Sequence, residues 1–166
     1  MERHNRMERV CVYPGSFDPV TVGHVDIICR ARHLFDRVVV AVLHNPAKTG
    51  CFPVAQRLDM LKRACQGLDG VSVAAFDGLL VDFAHQEGAC AVVRGIRAAG
   101  DYEAEKTMAD INARLMPELE TVFLPARPEH ACISSSAVRE LAAFGGDFAF
   151  MVPEGCAEQV ARRFAK

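Results

Sequence analysis

Several short stretches of this 166-residue chain combine residue types and spacings suited to holding anions. The first is Tyr13-Pro-Gly-Ser-Phe-Asp-Pro-Val-Thr-Val-Gly-His24. Gly15 and Gly23 let a ligand come close to the backbone. His24 falls in the first turn of a predicted helix, where free N–H groups and the positive dipole end favour an anion. An imidazole there can donate to phosphate oxygens. The plainer reading has Thr21 capping the helix and His24 as an ordinary surface histidine.

Arg94-Gly95-Ile96-Arg97 places two guanidiniums at a predicted strand end. Their planar forks suit bidentate phosphate contacts, although arginines at such a place are also common as solvated rim charges. Asp101-Tyr-Glu103-Ala-Glu105 opens the next helix. Asp101 and Glu103 are the ordinary complement of the helix dipole; Glu105 is either another such charge or an acceptor for a ribose hydroxyl. Ile133-Ser134-Ser135-Ser136-Ala-Val-Arg139 aims hydroxyls and free N–H groups at one point, more than a single helix cap requires. Lys48, in the loop Asn45-Pro-Ala-Lys48-Thr-Gly50, is a solvated lysine or the neutraliser of a second phosphate. No Gly-x-Gly-x-x-Gly occurs, and Gly95-Ile-Arg-Ala-Ala-Gly100-Asp101 lacks the Lys-Ser/Thr ending of a P-loop. A dinucleotide dehydrogenase and a P-loop kinase are therefore disfavoured.

The elements that must position these loops alternate regularly. Apolar and β-branched runs predict strands over 10–13, 38–43, 71–76, 89–93 and 120–124. Helical spacing and stop signals predict helices over 24–35, 54–65, 80–86, 101–115, 137–144 and 156–164. Continuous apolar strands linked by helices imply right-handed crossovers and a parallel sheet. The expected fold is a single doubly wound, Rossmann-like α/β domain: a five-stranded parallel sheet with helices on both faces, spanning 9–166 after a flexible tail at 1–8. Ligands of such sheets bind beyond the carboxyl ends of the strands. All the stretches above lie there.

Composition sets the outer limits. Apolar residues make up 51% and charged residues 24%, values of a globular chain. Net charge is −2, against the strongly basic footprint of a nucleic-acid-coating surface. No apolar run approaches membrane-helix length, and no signal peptide is evident. Seven cysteines without a Cys-x-x-Cys pair suggest neither a disulfide framework nor a zinc site. Most, Cys11 and Cys90 among them, sit in apolar patterns as small hydrophobes, and Cys51 is the one expected to be exposed. Free thiols fit a reducing, cytoplasmic setting.

Thr21-x-Gly23-His24 together with Ile133-Ser-Ser-Ser-x-x-Arg139 resembles the HIGH-type nucleotidyltransferase superfamily. Tyr13-Pro-Gly-Ser-Phe-Asp-Pro, Val93-Arg-Gly-Ile-Arg97, Asp101-Tyr-Glu-x-Glu105 and Leu115-Met-Pro-Glu-Leu-Glu-Thr-Val-Phe-Leu are, with Ile-Ser-Ser-Ser, similar to the bacterial phosphopantetheine adenylyltransferase family. These run in the family's order from about Val10 to the C-terminus. The resemblance implies transfer of AMP from ATP to 4′-phosphopantetheine, giving dephospho-coenzyme A and pyrophosphate. It also implies Mg²⁺ carried mainly by the ATP phosphates, a homohexamer, and feedback binding of coenzyme A. By matching positions, Ser16, Lys48, Leu80 and Arg94 would contact phosphopantetheine. Ser16, Phe17, His24, Gly95, Ile96, Arg97, Glu105, His130, Ala131, Cys132, Ile133, Ser134, Ser135 and Ser136 would contact ATP. His24, Lys48 and Arg97 would be catalytic. The chain departs from the family at Ala104 and Glu129-His-Ala-Cys132, where relatives often carry an aromatic.

A phosphate-monoester acceptor suits this set of residues. Its second pKa near 6 leaves it mostly a dianion at neutral pH. It needs positioning and charge neutralisation rather than a general base. The competing readings are a related nucleotidyltransferase with another phosphate acceptor and a non-catalytic ATP-sensing domain.

Overall fold

The computed structural model describes residues 7–47 and 49–165; Lys48, most of the predicted tail (1–6) and residue 166 lie outside them. The valine-rich run of 38–42 is buried along its whole length, as expected of a strand covered on both faces. It forms the middle of β2 (Arg37–Leu43). The other strands are β1 (Val10–Gly15), β3 (Val71–Phe76), β4 (Ala91–Ile96) and β5 (Glu120–Pro125). All pair in parallel, in the order β3-β2-β1-β4-β5.

The helices are α1 (Val22–Ala31), α2 (Val54–Ala64), α3 (Leu80–Gln86), α4 (Ala99–Leu115), α5 (Ser135–Phe144) and α6 (Ala157–Phe164). Strand alternation divides the core in two. Cys11, Tyr13, Val38, Val40 and Val42 pack with α1, α2, α5 and α6, while Val10, Val12, Val39 and Ala41 pack with α3 and the end of α4. From β1 the chain first builds outward through β2 and β3, then returns to the other side of β1 as β4. The carboxyl ends of β1 and β4 therefore flank the topological switch point.

Several expectations shift. The first helix was expected over 24–35, but it starts earlier and stops at Ala31, because Asp36 and Arg37 donate backbone N–H groups to Arg9 and draw the chain into β2. Leu34 is left exposed. β4 runs beyond the expected 89–93, because its ladder with β5 continues through Arg94–Phe123, Gly95–Leu124 and Ile96–Pro125. Arg94 thus stands on a strand, with a rigid backbone. α4 likewise begins at Ala99 rather than 101. The cysteine reading needs correcting too: Cys90 and Cys132 are exposed and Cys51 is half-buried. Cys90 stands just before β4, at the amino-terminal edge of the sheet, where its Sγ donates to Val10 O at 3.3 Å.

Candidate active site

Two cavities open at the switch point, of about 440 Å³ and about 680 Å³. The first lies over the start of α1, between β1, β4 and the 133–136 segment. The second lies beside it, toward the ends of β2 and β3 and along α4, with a more apolar wall that includes Phe76, Leu80 and Met108. Both share Ser16, Arg94, Glu105 and Arg139. The boundary between them is the most highly charged part of the site.

At the start of α1 Thr21 caps the helix, as the plainer reading has it, but His24 is part of the cap rather than an ordinary surface side chain. Thr21 Oγ1 accepts from the His24 backbone N–H at 3.3 Å, and Thr21 N–H donates to His24 Nδ1 at 2.9 Å. This is a capping box with an imidazole in the place usually taken by Glu or Gln. Because a backbone N–H can only donate, Nδ1 must be the unprotonated acceptor, and the ring proton sits on Nε2. Burial pushes the His24 pKa down to about 4, and the nearby charges of Arg97 and Arg94 add to the effect. At neutral pH His24 is an uncharged donor lining the first cavity.

Phe17 flanks this ring. Its centroid is 5.0 Å from that of His24 and 5.4 Å from that of Tyr13, both edge-on. Phe17 has φ 46°, the left-handed region, which costs a bulky residue roughly 1–2 kcal/mol. Gly95 brings β4 close to α1: a Cβ there would come 3.2 Å from Ile27 Cγ1. Its lack of a side chain permits the approach that places Arg94 and Arg97 near His24.

The Arg94 guanidinium donates to both Glu105 oxygens, Nε–Oε2 2.7 Å and Nη2–Oε1 2.5 Å, and to the carbonyl of Pro14. The sequence offered Arg94 for a phosphate and Glu105 for a ribose hydroxyl; the structure joins them to each other. Burial opposes the Arg94 charge, but the Glu105 carboxylate outweighs it and raises the guanidinium pKa. Arg97 contacts Asp101 through its backbone N at 3.0 Å and its Nε at 3.3 Å, and reaches Ile133 O at 3.3 Å. It connects the end of β4 to the serine segment.

The three serines do different work. Ser134 caps α5 by accepting from Ala137 N at 3.1 Å. Ser135 Oγ donates to Pro19 O at 2.7 Å, tying α5 to the β1–α1 loop. Ser136 Oγ accepts from Arg139 at 3.2 Å. His130 lines the first cavity with a buried Nδ1 that has no partner.

Of the other expected residues, Ser16, Phe17, Gly95, Ile133 and the serines line the first cavity, and Leu80 the second. Ile96, Ala131 and Cys132 line neither, and Lys48 lies outside the described residues. Sequence reasoning missed Asp18 and Arg57. Both are buried: Asp18 accepts from Cys51 N and Phe52 N, each at 2.8 Å, and Arg57 donates to Ser16 O at 2.8 Å and Phe52 O at 3.0 Å. Asp18 was in view inside the first motif. Arg57 carried one signal, a charge three and four residues before Met60 and Leu61 on the apolar face of α2, where a charged side chain needs partners.

Among the described residues no cluster of three His, Cys, Asp or Glu side chains could hold a metal. The two carboxylates that line the first cavity, Asp101 and Glu105, are paired with Arg97 and Arg94.

Fold and site together define a nucleotidyltransferase of the cytidylyltransferase-like type, and the cytidylyltransferase-like family model matches residues 12–141. A solved structure from Vibrio parahaemolyticus, described as a candidate nicotinate-nucleotide adenylyltransferase, shares the fold with a TM-score of 0.71, covering 96% of this chain and 98% of that one at 14% identity. Phosphopantetheine adenylyltransferases are far more similar in sequence. That of Symbiobacterium thermophilum is 52% identical, covering 93% of this chain and 96% of its own. That of Gloeobacter violaceus is 51% identical over 94% and 97%, and that of Caldanaerobacter subterraneus 46% over 95% and 99%. The chain belongs to the phosphopantetheine adenylyltransferase family.

Proposed function

We propose that the chain transfers AMP from ATP to 4′-phosphopantetheine, releasing pyrophosphate and forming dephospho-coenzyme A. The observation that carries this reading is the pair of cavities meeting at Arg94, one polar and built around a neutral histidine donor, the other larger and more apolar. A nucleotide and a pantetheine arm differ in the same way. The phosphate monoester of the acceptor attacks the α-phosphorus of ATP, the α–β bridging P–O bond breaks, and pyrophosphate leaves. The acceptor dianion supplies its own nucleophile, so no side chain need take a proton.

In this reading Ser16, Phe17, Gly95, Arg97, Glu105, His130, Ile133 and the three serines bind ATP. Ser16, Leu80 and Arg94 bind phosphopantetheine, with Lys48 on the loop after β2. His24 Nε2–H donates to a non-bridging α-phosphate oxygen as charge builds there. A ring held neutral by burial stays a donor across the physiological range and undergoes no protonation change in the cycle. Arg97 neutralises the phosphate chain, and Arg94 receives the acceptor phosphate beside Glu105. Mg²⁺ held by the ATP phosphates would supply further charge screening there, beside Arg97.

The chain acts in the cytoplasm as a homohexamer, with coenzyme A competing for the acceptor cavity. The exposed apolar residues Met108, Ile111 and Leu115 on α4, with Phe144 and Phe150 elsewhere, support coverage by further copies. Light scattering of the purified protein tests the hexamer, and displacement of phosphopantetheine by coenzyme A tests the feedback. The deciding assay for the reaction is pyrophosphate release from ATP with a panel of acceptors. Turnover with 4′-phosphopantetheine is expected; preference for a nicotinate mononucleotide, or ATP binding without any turnover, would overturn the proposal.

A further inference from the structure

The backbone of Ser16–Pro19, which carries Phe17 past His24, is held almost wholly by side chains from distant helices. Arg57 of α2 takes the Ser16 carbonyl at 2.8 Å, Arg139 of α5 takes the Asp18 carbonyl at 2.5 Å, and Ser135 takes the Pro19 carbonyl at 2.7 Å. Phe17 lies between the first two anchors, in the left-handed region and only 2% exposed. A bulky residue stays in that region only where its surroundings enforce it. Fixing the carbonyl on each side does so here.

Arg57 is 7% exposed and forms no ion pair among the described residues. Its two hydrogen bonds go to carbonyls of two separate loops, Ser16 O and Phe52 O. Asp18 links the same two loops in the opposite sense, accepting from Cys51 N and Phe52 N. Arg163 of α6 takes the remaining Cys51 carbonyl at 3.0 Å. Every backbone polar group of Cys51–Phe52 is therefore taken by a charged side chain, and Phe52 itself is buried. This dipeptide is a fixed anvil, and Arg57 transmits its position to Ser16.

We infer that Arg57 is a positioning residue for the transfer step: by bridging Phe52 O and Ser16 O it keeps the Phe17 ring seated edge-on against His24 and so fixes where Nε2–H points. The imidazole is then constrained on two sides, by the Thr21 cap at Nδ1 and by the Phe17 edge on the ring. Lysine would hold the two carbonyls less firmly, because one ammonium on a flexible stem replaces a rigid fork that reaches them from two separate nitrogens. Misplacing a catalytic donor by an ångström costs up to about 10² in rate.

This inference rests on the role given to His24 above, and the experiment separates the two. Single-turnover and steady-state kcat are measured for Arg57→Lys, His24→Ala and the double variant, with folding checked by circular dichroism. Arg57→Lys is expected to lower kcat about tenfold in the otherwise unchanged enzyme and less than about twofold in the His24→Ala background, since coupled residues are non-additive. An equal factor in both backgrounds, or no loss from Arg57→Lys alone, overturns the positioning role while leaving His24 intact. Near-normal turnover of His24→Ala instead overturns the reading on which it rests. Should Arg57→Lys not fold, Phe17→Leu enters the same cycle, removing the ring edge but keeping the anchors. Additivity of Phe17→Leu with His24→Ala then overturns the proposal.

Discussion

The loop after β1 and the loop after β2 both border the candidate site, yet they are held very differently. From Phe17 to Thr21 the first is buried, and Arg57 of α2, Ser135 and Arg139 of α5 and the neutral His24 ring of α1 take backbone groups between Ser16 and Thr21. The described residues of the second are mostly exposed from His44 to Gly50; beyond His44, which bonds Phe76 O and Asp77, the loop is next anchored to the body of the fold at Cys51–Phe52. Preorganised donors are worth most where charge develops in the transition state. In the proposed reaction the nucleotide end would have its geometry set before substrate arrives, whereas the acceptor end would sit beside a longer, less constrained loop. Within one small site, rigidity is concentrated where the reacting phosphorus would lie.

The sharpest way to break this contrast is to remove the fixed donor. His24→Ala is expected to lower kcat by about 10²–10³ while ATP binding, measured calorimetrically, survives. A weak effect on kcat with a large one on ATP affinity would make His24 a binding group and dissolve the distinction.

Next in size is a pH effect on stability. The folded His24 has its pKa lowered to about 4, against an ordinary 6.5. Between those values the unfolded chain binds a proton that the folded chain does not, so stability rises with pH across that window. Full stabilisation is present above about 6.5 and is lost progressively on acidification toward 4, amounting to about 3 kcal/mol. Urea unfolding between pH 4 and 7 measures it. His24→Ala should flatten the slope, and an unchanged slope would assign it to other groups.

At the boundary between the cavities, Arg94→Ala leaves Glu105 partly buried without its partner. Loss of about 1–3 kcal/mol of stability is expected, with a larger rise in the KM for phosphopantetheine than for ATP. Equal rises would place Arg94 on the nucleotide side. The smallest effect is expected at the helix cap: Thr21→Ala should cost about 1 kcal/mol of stability. It should also cost some kcat, because the Oγ1 contact to Nδ1 at 3.0 Å is lost while the backbone donor remains. Gln66→Ala, exposed after α2 and lining neither cavity, serves as the control, with neither quantity changed.

Much of the site was legible because it lies in local patterns. Thr21, His24, Arg94, Arg97 and the serine run are short motifs at strand ends, and strand alternation assigned them to one edge of the sheet. What sequence could not show was pairing across that edge. Arg94 and Glu105 are 11 positions apart on different elements, and only the register of β4 against α4 makes them meet. Arg57 was missed for a related reason: it stands on the buried face of α2 with Met60 and Leu61, and its partners Ser16 and Phe52 are backbone carbonyls, which have no sequence signature. The length of α1 and the exposure of Cys90 were misjudged where backbone bonds to distant strands overrode local hydrophobicity.

By itself the sequence determined the alternation of buried strands and helices, and hence a doubly wound sheet. It also assigned the histidine, arginine and serine motifs to one edge of that sheet, because periodicity and strand-end position are local properties of the chain. The tertiary structure alone decided which nitrogen of His24 carries the proton, that Arg94 is already paired, and that Phe17 is held in a costly conformation by Arg57 and Arg139. Each of these depends on groups brought together from separate elements. A hydrogen bond acts over about 3 Å and is indifferent to the number of residues between its partners.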